Sequence, residues 1–247
     1  MDISLIDVFD SYTLWTLILG VLWLVAYIPR RHFIKRMLFM SLILLPFGLT
    51  QPYFVPGYWH ASVREQFETV TDIGSFLWIF FLGGIVAVLF EEVFRLRFKK
   101  TEQLSQTQKT HAITIYILLL ISGIVASSVS YFTQLSVVRG ALIIGLVILW
   151  YVVWNERKIL REVLYGASLF GALYVMTLLF VDWLFPEFTS AHLQLTQGTS
   201  LGYVFTIPIE EYVYAIVFGA ATIPVYQGIR NSEIIAKKKK TSKKESF

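Results

Sequence analysis

Cysteine is absent from the 247 residues, which removes both a disulfide framework and a thiolate metal site. Charge is scarce: 15% of residues are charged, where a soluble domain carries about 25%. The four histidines, His32, His60, His111 and His192, fall in loops or at helix ends without ligand spacing, so no metal site is expected. There is no GxGxxG fingerprint, no phosphate loop and no HExxH. The DDxxD type of diphosphate motif is missing too, because Asp7 and Asp10 are too sparse to form one. No cofactor is expected. The first apolar segment lacks a basic leader and a small-residue cleavage site, so it is not read as a signal peptide.

What remains is overwhelmingly apolar. Hydrophobic residues make up 56% and aromatics 16% of the chain. About 20 apolar residues are needed to cross the hydrocarbon core of a bilayer. Seven such segments are expected, near 11–28, 34–51, 71–94, 112–132, 137–154, 163–185 and 203–226. Lys and Arg cluster after segments one, three, five and seven, while the opposite loops hold little besides Arg64 and Arg139. Basic loops stay on the cytoplasmic side, so the expected topology has the N-terminus outside and the C-terminus inside. The net charge of +4 reflects that asymmetry and not nucleic-acid binding. The expected location is the plasma membrane, crossed several times.

The sequence also carries a faint internal repeat. At an offset of 136 residues, 76–83 fall on 212–219 and Phe90-Glu91 on Tyr226-Gln227; at an offset of 130, 53–56 fall on 183–186. The fold expected is all-α and integral to the membrane, with two parallel three-helix repeats joined by a linking helix. The first repeat is 1–110, the linker 111–134, the second repeat 135–228, and 229–247 a disordered basic cytoplasmic tail. Parallel repeats place binding sites near the interface between halves.

Glu210 and Glu211 interrupt the last apolar segment. Ionisable residues inside a membrane are expensive, and they usually face a cavity or a partner. Pro208 either kinks a continuous helix or opens a new one as its first residue. In the second case a first-turn glutamate is favoured by the helix dipole without any function. Adjacent helical residues point about 100° apart, so the two glutamates are not expected to face one spot. One should face a substrate and the other should be hydrogen-bonded between helices. Asp182, near the outer end of segment six, is a third acid, or simply an interfacial aspartate in a Trp-rich belt. Asp72 stands one turn before the Gly74-Ser75 pair that the repeat aligns with the glutamates, or serves as a helix-start aspartate. Glu91 and Glu92 end segment three beside Arg95 and Arg97 and read as a solvated helix end.

Trp78, Trp183, Tyr212 and Tyr214 gather with Ser75 toward the outer side, as belt residues or as cavity walls offering π faces to a cation. Two carboxyls sharing a site can hold one proton, so that one donates and the other accepts. With aromatic faces and excluded water, these are the ingredients of acid-initiated carbocation chemistry.

The stretch 207–214, Ile-Pro-Ile-Glu-Glu-Tyr-Val-Tyr, resembles the Pro-x-Glu-Glu motif of the membrane lycopene cyclase domain family, with Asp182-Trp183 before the outer loop also fitting. That family is flavin-independent and occurs as a heterodimer of three-helix subunits or as one fused chain. The resemblance implies an isomerase (an intramolecular lyase) that cyclises the ψ ends of linear carotenoids. Glu210 and Glu211 would be its catalytic carboxylates, with Asp182 and Asp72 as further acids. It implies an isoprenoid or carotenoid substrate, the lipid bilayer and other carotenoid-pathway enzymes as partners. The first half departs from the motif at Gly74-Ser75. A 3+1+3 small-molecule transporter and a divergent non-carotenoid terpene cyclase are the alternatives. A retinal protein is excluded, because 203–226 has no lysine for a Schiff base.

Overall fold

The computed structural model describes residues 11–28, 34–53, 73–94, 96–100, 105–133, 137–155, 157–186, 188–189, 202–230 and 232–236. Among them are seven α-helices: α1 (Ser11–Tyr27), α2 (Ile34–Leu44), α3 (Ile73–Phe94), α4 (Gln106–Thr133), α5 (Val137–Asn155), α6 (Leu160–Leu184) and α7 (Ile209–Arg230). They coincide with the seven apolar segments, with two revisions.

The second segment changes character at Leu45 and continues as a 3-10 helix, Leu45–Tyr53. Pro46 and Pro52 lie within it, and proline cannot supply the amide that an α-helix needs. The Tyr116 hydroxyl of α4 donates to the Ile43 carbonyl at 2.8 Å, satisfying one acceptor in the last turn of α2. Gly48 lets this segment lie against α3, since a Cβ there would come within 2.6 Å of the Phe76 ring.

The seventh segment begins as a hairpin. Strands β2 (Tyr203–Val204) and β3 (Ile207–Pro208) pair antiparallel, and α7 starts only at Ile209. Phe205 turns the hairpin at φ 55°, a left-handed conformation that favours glycine. Pro208 therefore stands just before the helix, and the glutamates occupy its first turn.

Three helices, α4, α6 and α7, are long and apolar enough to cross a membrane; α1, α3 and α5 contain shorter apolar stretches. Their outward faces are apolar as well. On α4, Ile113, Ile117, Ile121 and Ile124 recur every three or four residues and are all exposed. On α5, Trp150 and Trp154 stack with centroids 5.9 Å apart while each remains more than half exposed. Contiguous apolar surface of this kind marks a membrane or partner contact.

Packing centres on two helices. α7 packs on α4, α5 and α6, while α3 packs on α1 and α2; α1 and α3 also meet α6. Glycines set the closest crossings. A Cβ at Gly83 would lie 2.9 Å from the Met40 carbonyl of α2, and one at Gly219 would lie 3.0 Å from the Ala167 Cα and the Gly166 carbonyl of α6. Strand β1 (Leu96–Lys100) follows α3 and pairs antiparallel with β4 (Ser232–Ala236), which follows α7. The tail expected to be disordered from 229 thus continues α7 to Arg230 and then forms a strand as far as Ala236; residues 237–247 lie outside the described residues.

Gly219→Leu should separate α6 from α7 and lower stability by about 1–3 kcal/mol, as overpacking does. Thermal unfolding in detergent measures it. Gly171→Ala, whose Cβ would meet Ile216 at an ordinary 3.8 Å, should leave the transition in place.

Candidate functional site

Glu210 and Glu211 are 2% and 3% exposed. A helix dipole accounts for acids in a first turn, but it does not require removing them from solvent. Both carboxyls instead line a single cavity of about 190 Å³. The interhelical hydrogen bond expected of one glutamate is made by Glu211, with Tyr174 of α6, while both side chains border the cavity. Glu210, Glu211, Val213, Tyr214, Val217 and Phe218 all line it from α7. At about 100° per residue they span an arc of about 160°, which admits neighbours at its edge.

The other walls come from every helix except α1 and α2. The 3-10 segment contributes Phe47, Gly48 and Thr50, α3 contributes Ser75, Trp78 and Ile79, and α6 contributes Tyr174. The wall across from α7 is built by α4 and α5, with the small side chains of Ser122, Ala141 and Gly145 among its members.

Tyr174 is the residue that sequence reasoning missed. It is 1% exposed, and its hydroxyl donates to Glu211 Oε2 at 2.5 Å. The only signal available was one phenol inside an apolar helix, and buried tyrosine hydroxyls usually find a partner. Trp15 of α1 supports it from behind. The Trp15 indole donates to Thr177 Oγ1 at 3.2 Å, and Thr177 Oγ1 donates to the Tyr174 carbonyl at 2.8 Å. The Trp15 ring also meets Tyr174 and Trp78 edge-on, with centroids 5.5 and 5.3 Å apart.

The expected wall residues divide. Trp78, Tyr214 and Ser75 line the cavity. Trp78 stacks on Tyr214 with centroids 6.4 Å apart, and Tyr214 stacks on Phe218 at 5.8 Å. The Trp78 indole nitrogen and the Ser75 hydroxyl are buried and have no hydrogen-bond partner among the described residues. Tyr212 and Trp183 are not among the lining residues. The Tyr212 hydroxyl instead donates to the Val204 carbonyl at 3.0 Å and ties α7 to its hairpin. Trp183 is 74% exposed and stacks on Phe180 of the same helix, as an interfacial tryptophan would.

Asp182 does not join the carboxyls. Its Oδ1 accepts from the Thr189 amide at 3.0 Å and from the Thr189 hydroxyl at 2.8 Å. It therefore fastens the turn after α6, and this local bonding accounts for an aspartate there. Asp72 lies outside the described residues. Among the described residues no group of three or more His, Asp or Glu side chains could hold a metal ion.

Comparisons with models of protein families, with curated proteins and with solved structures give no match for this chain.

Gly145 faces this cavity beside Val217, where a Cβ would sit 3.4 Å from the valine methyl. Gly145→Leu should fill the space with little effect on folding. The expected result is loss of quenching of tryptophan fluorescence by a ring-sized apolar ligand, with the unfolding midpoint held within about 4 °C, the shift of about 1 kcal/mol.

Proposed function

We propose that the chain is a membrane isoprenoid cyclase of the lycopene cyclase type, closing the ψ end of a linear carotenoid in an acid-initiated isomerisation. One observation carries the reading: two adjacent, buried carboxyls share a cavity walled by Trp78, Tyr214, Phe218 and Tyr174. One carboxyl delivers a proton to a terminal double bond. The aromatic faces lie where they can stabilise the cation that results. The second carboxyl takes the proton lost at ring closure, so the protons balance and no reductant is consumed.

Size supports an end group and not a whole carotenoid. A cavity of about 150 Å³ accommodates benzene, and one of about 190 Å³ accommodates one ring-sized group. The rest of a long isoprenoid would have to stay in the lipid. The inner part of α7 favours an enzyme over a transporter. From Val217 to Gly228 every residue is buried against neighbouring helices, and no α7 residue beyond Phe218 lines the cavity.

The same proposal includes seven membrane crossings, with the N-terminus outside, in the plasma membrane. Several features support a parallel three-helix repeat. Gly83 and Gly219 stand 136 residues apart and sit at corresponding crossings of α3 with α2 and of α7 with α6. Trp78 and Tyr214, at the same offset, stack on each other. At the centre of the β1–β4 pair, Phe98 faces Ile234, again at that offset. This pattern is expected of a local two-fold axis between the halves, running through the wall of the cavity.

Two measurements test this. In a lycopene-accumulating host, Glu210→Gln and Glu211→Gln should each cut ring formation by about 10²–10⁴-fold, with protein still present in the membrane. Full activity of both variants would remove the assignment. For topology, single cysteines at exposed Ser105 and Thr133 should react with an impermeant reagent from opposite sides, Thr133→Cys from outside. Labelling of both from one side would refute the crossing of α4.

A further inference from the structure

Glu211 is held by a hydrogen bond from another helix, and that bond is the basis for distinguishing the pair. The Tyr174 hydroxyl reaches Glu211 Oε2 at 2.5 Å, within the range of about 2.5–2.7 Å found when a hydroxyl donates to a carboxylate oxygen. Tyr174 is itself locked. Its ring packs against Trp15, Trp78, Phe170 and Tyr214 at centroid distances of 5.5, 6.1, 5.9 and 5.6 Å. Its carbonyl is held by Thr177. An oxygen that accepts from a fixed phenol is oriented to accept, and its position in the cavity is set from α6 and not by the glutamate's own flexible side chain. Glu210 stands one residue earlier, on the side of the α7 arc nearer Val213 and Val217.

We propose that Tyr174 is a positioning residue that holds Glu211 as the proton acceptor, so that Glu210 is the proton donor, and that this contact fixes which ring isomer is released. The inference rests on the cyclase reading. Glu210 gives its carboxyl proton to the CH carbon of the terminal double bond. The cation formed on the other carbon is attacked by the next double bond of the chain, which closes a six-membered ring and moves the cation into it. Glu211 then removes a proton from one carbon next to that cation, and a new double bond forms. Glu211 is left protonated and Glu210 ionised, and one proton passed between them resets the site. Several carbons flank the ring cation, so the product isomer depends on which of them Glu211 can reach. A displacement of about 1 Å in such a group is enough to change rates by about 10²-fold.

The experiment compares Glu210→Gln, Glu211→Gln, Tyr174→Phe and Thr177→Val in a lycopene-accumulating host grown in deuterated water, with pigments separated and analysed by mass spectrometry. Glu210→Gln should leave linear substrate without enzyme-dependent deuterium, because no proton is delivered. Glu211→Gln should still protonate, and should give deuterium-labelled linear substrate, hydrated products or other ring isomers. Tyr174→Phe should lower kcat by about 10-fold, the loss of a hydrogen bond to a charged group, with KM little changed and a shifted isomer ratio. Thr177→Val, which loosens the support of Tyr174 but keeps the phenol, should shift that ratio in the same direction and by less. The reverse deuterium pattern in the two glutamine variants would overturn the assignment of donor and acceptor. An isomer ratio in Tyr174→Phe equal to that of the wild type would overturn the role of the phenol. If Tyr174→Phe does not fold, the deuterium pattern still decides the roles of the two glutamates, and Glu211→Asp, which shortens the acceptor beneath an intact phenol, tests the ratio instead. Full ring formation in both glutamine variants is a different failure, that of the cyclase reading itself.

Discussion

Two carboxyls have to be accommodated among apolar helices, and the arrangement around the start of α7 follows from that requirement. A buried carboxyl without partners costs several kcal/mol. Three arrangements reduce the cost here. The glutamates stand in the first turn of α7, where the helix dipole favours acids. One of them receives a phenol from α6. Both border a cavity and not packed hydrocarbon. The hairpin Tyr203–Pro208 makes this possible, because it ends the extended chain at Pro208 and starts α7 with the acids at its mouth. Had the helix run unbroken from residue 203, the glutamates would have been mid-helix, with their backbone amides already bonded and no dipole terminus nearby.

The helices were legible in the sequence because each one carries a long, mostly apolar run, and such runs have few other uses. The breaks were less legible. Pro46, Gly48 and Pro52 lie in a stretch as apolar as a helix, and only the packing of Gly48 on Phe76 shows why a tighter helix suits it. The glutamate pair stood out because charge is rare in such a segment. Tyr174 did not, because tyrosine in an apolar run reads as packing until its hydroxyl is seen to touch an acid. Trp183 could have been placed better. Met176, Phe180, Trp183 and Leu184 fall on one face of α6, and all are exposed, a helical period pointing away from any cavity. The bond from Asp182 to Thr189 crosses a turn with no sequence signature, so composition alone could not choose between acid and fastening.

The tryptophans do two kinds of work that composition does not distinguish. Trp15 and Trp23 are buried, and each indole finds a hydroxyl on another helix, Thr177 and Ser41 respectively, at 3.2 Å. Buried indoles generally need such partners. Trp78 lies between these and the surface, touching Trp15 and Tyr214, and its indole nitrogen has no partner among the described residues. Trp150, Trp154 and Trp183 are exposed on the outside of the bundle. The interior aromatics thus fasten α1 and α3 to α6, which is what keeps Tyr174 fixed against Glu211.

At the offset of 136 residues, Gly74 and Ser75 stand where Glu210 and Glu211 stand in α7. Ser75 is the counterpart of Glu211 at that offset, and Trp78 that of Tyr214, and all four line the same cavity. Under a two-fold relation between the halves the two halves therefore share one site and do not own one each. A glutamate at 75 would bring a third carboxyl to a space of about 190 Å³. Carboxylates that close cannot all ionise, and like charges in a medium of low dielectric repel strongly. Ser75 avoids that crowding, and its small size leaves room beside Trp78. Glycines, strands and stacked rings thus recur at the offset of 136 residues, while the carboxyls that line the cavity come from α7 alone.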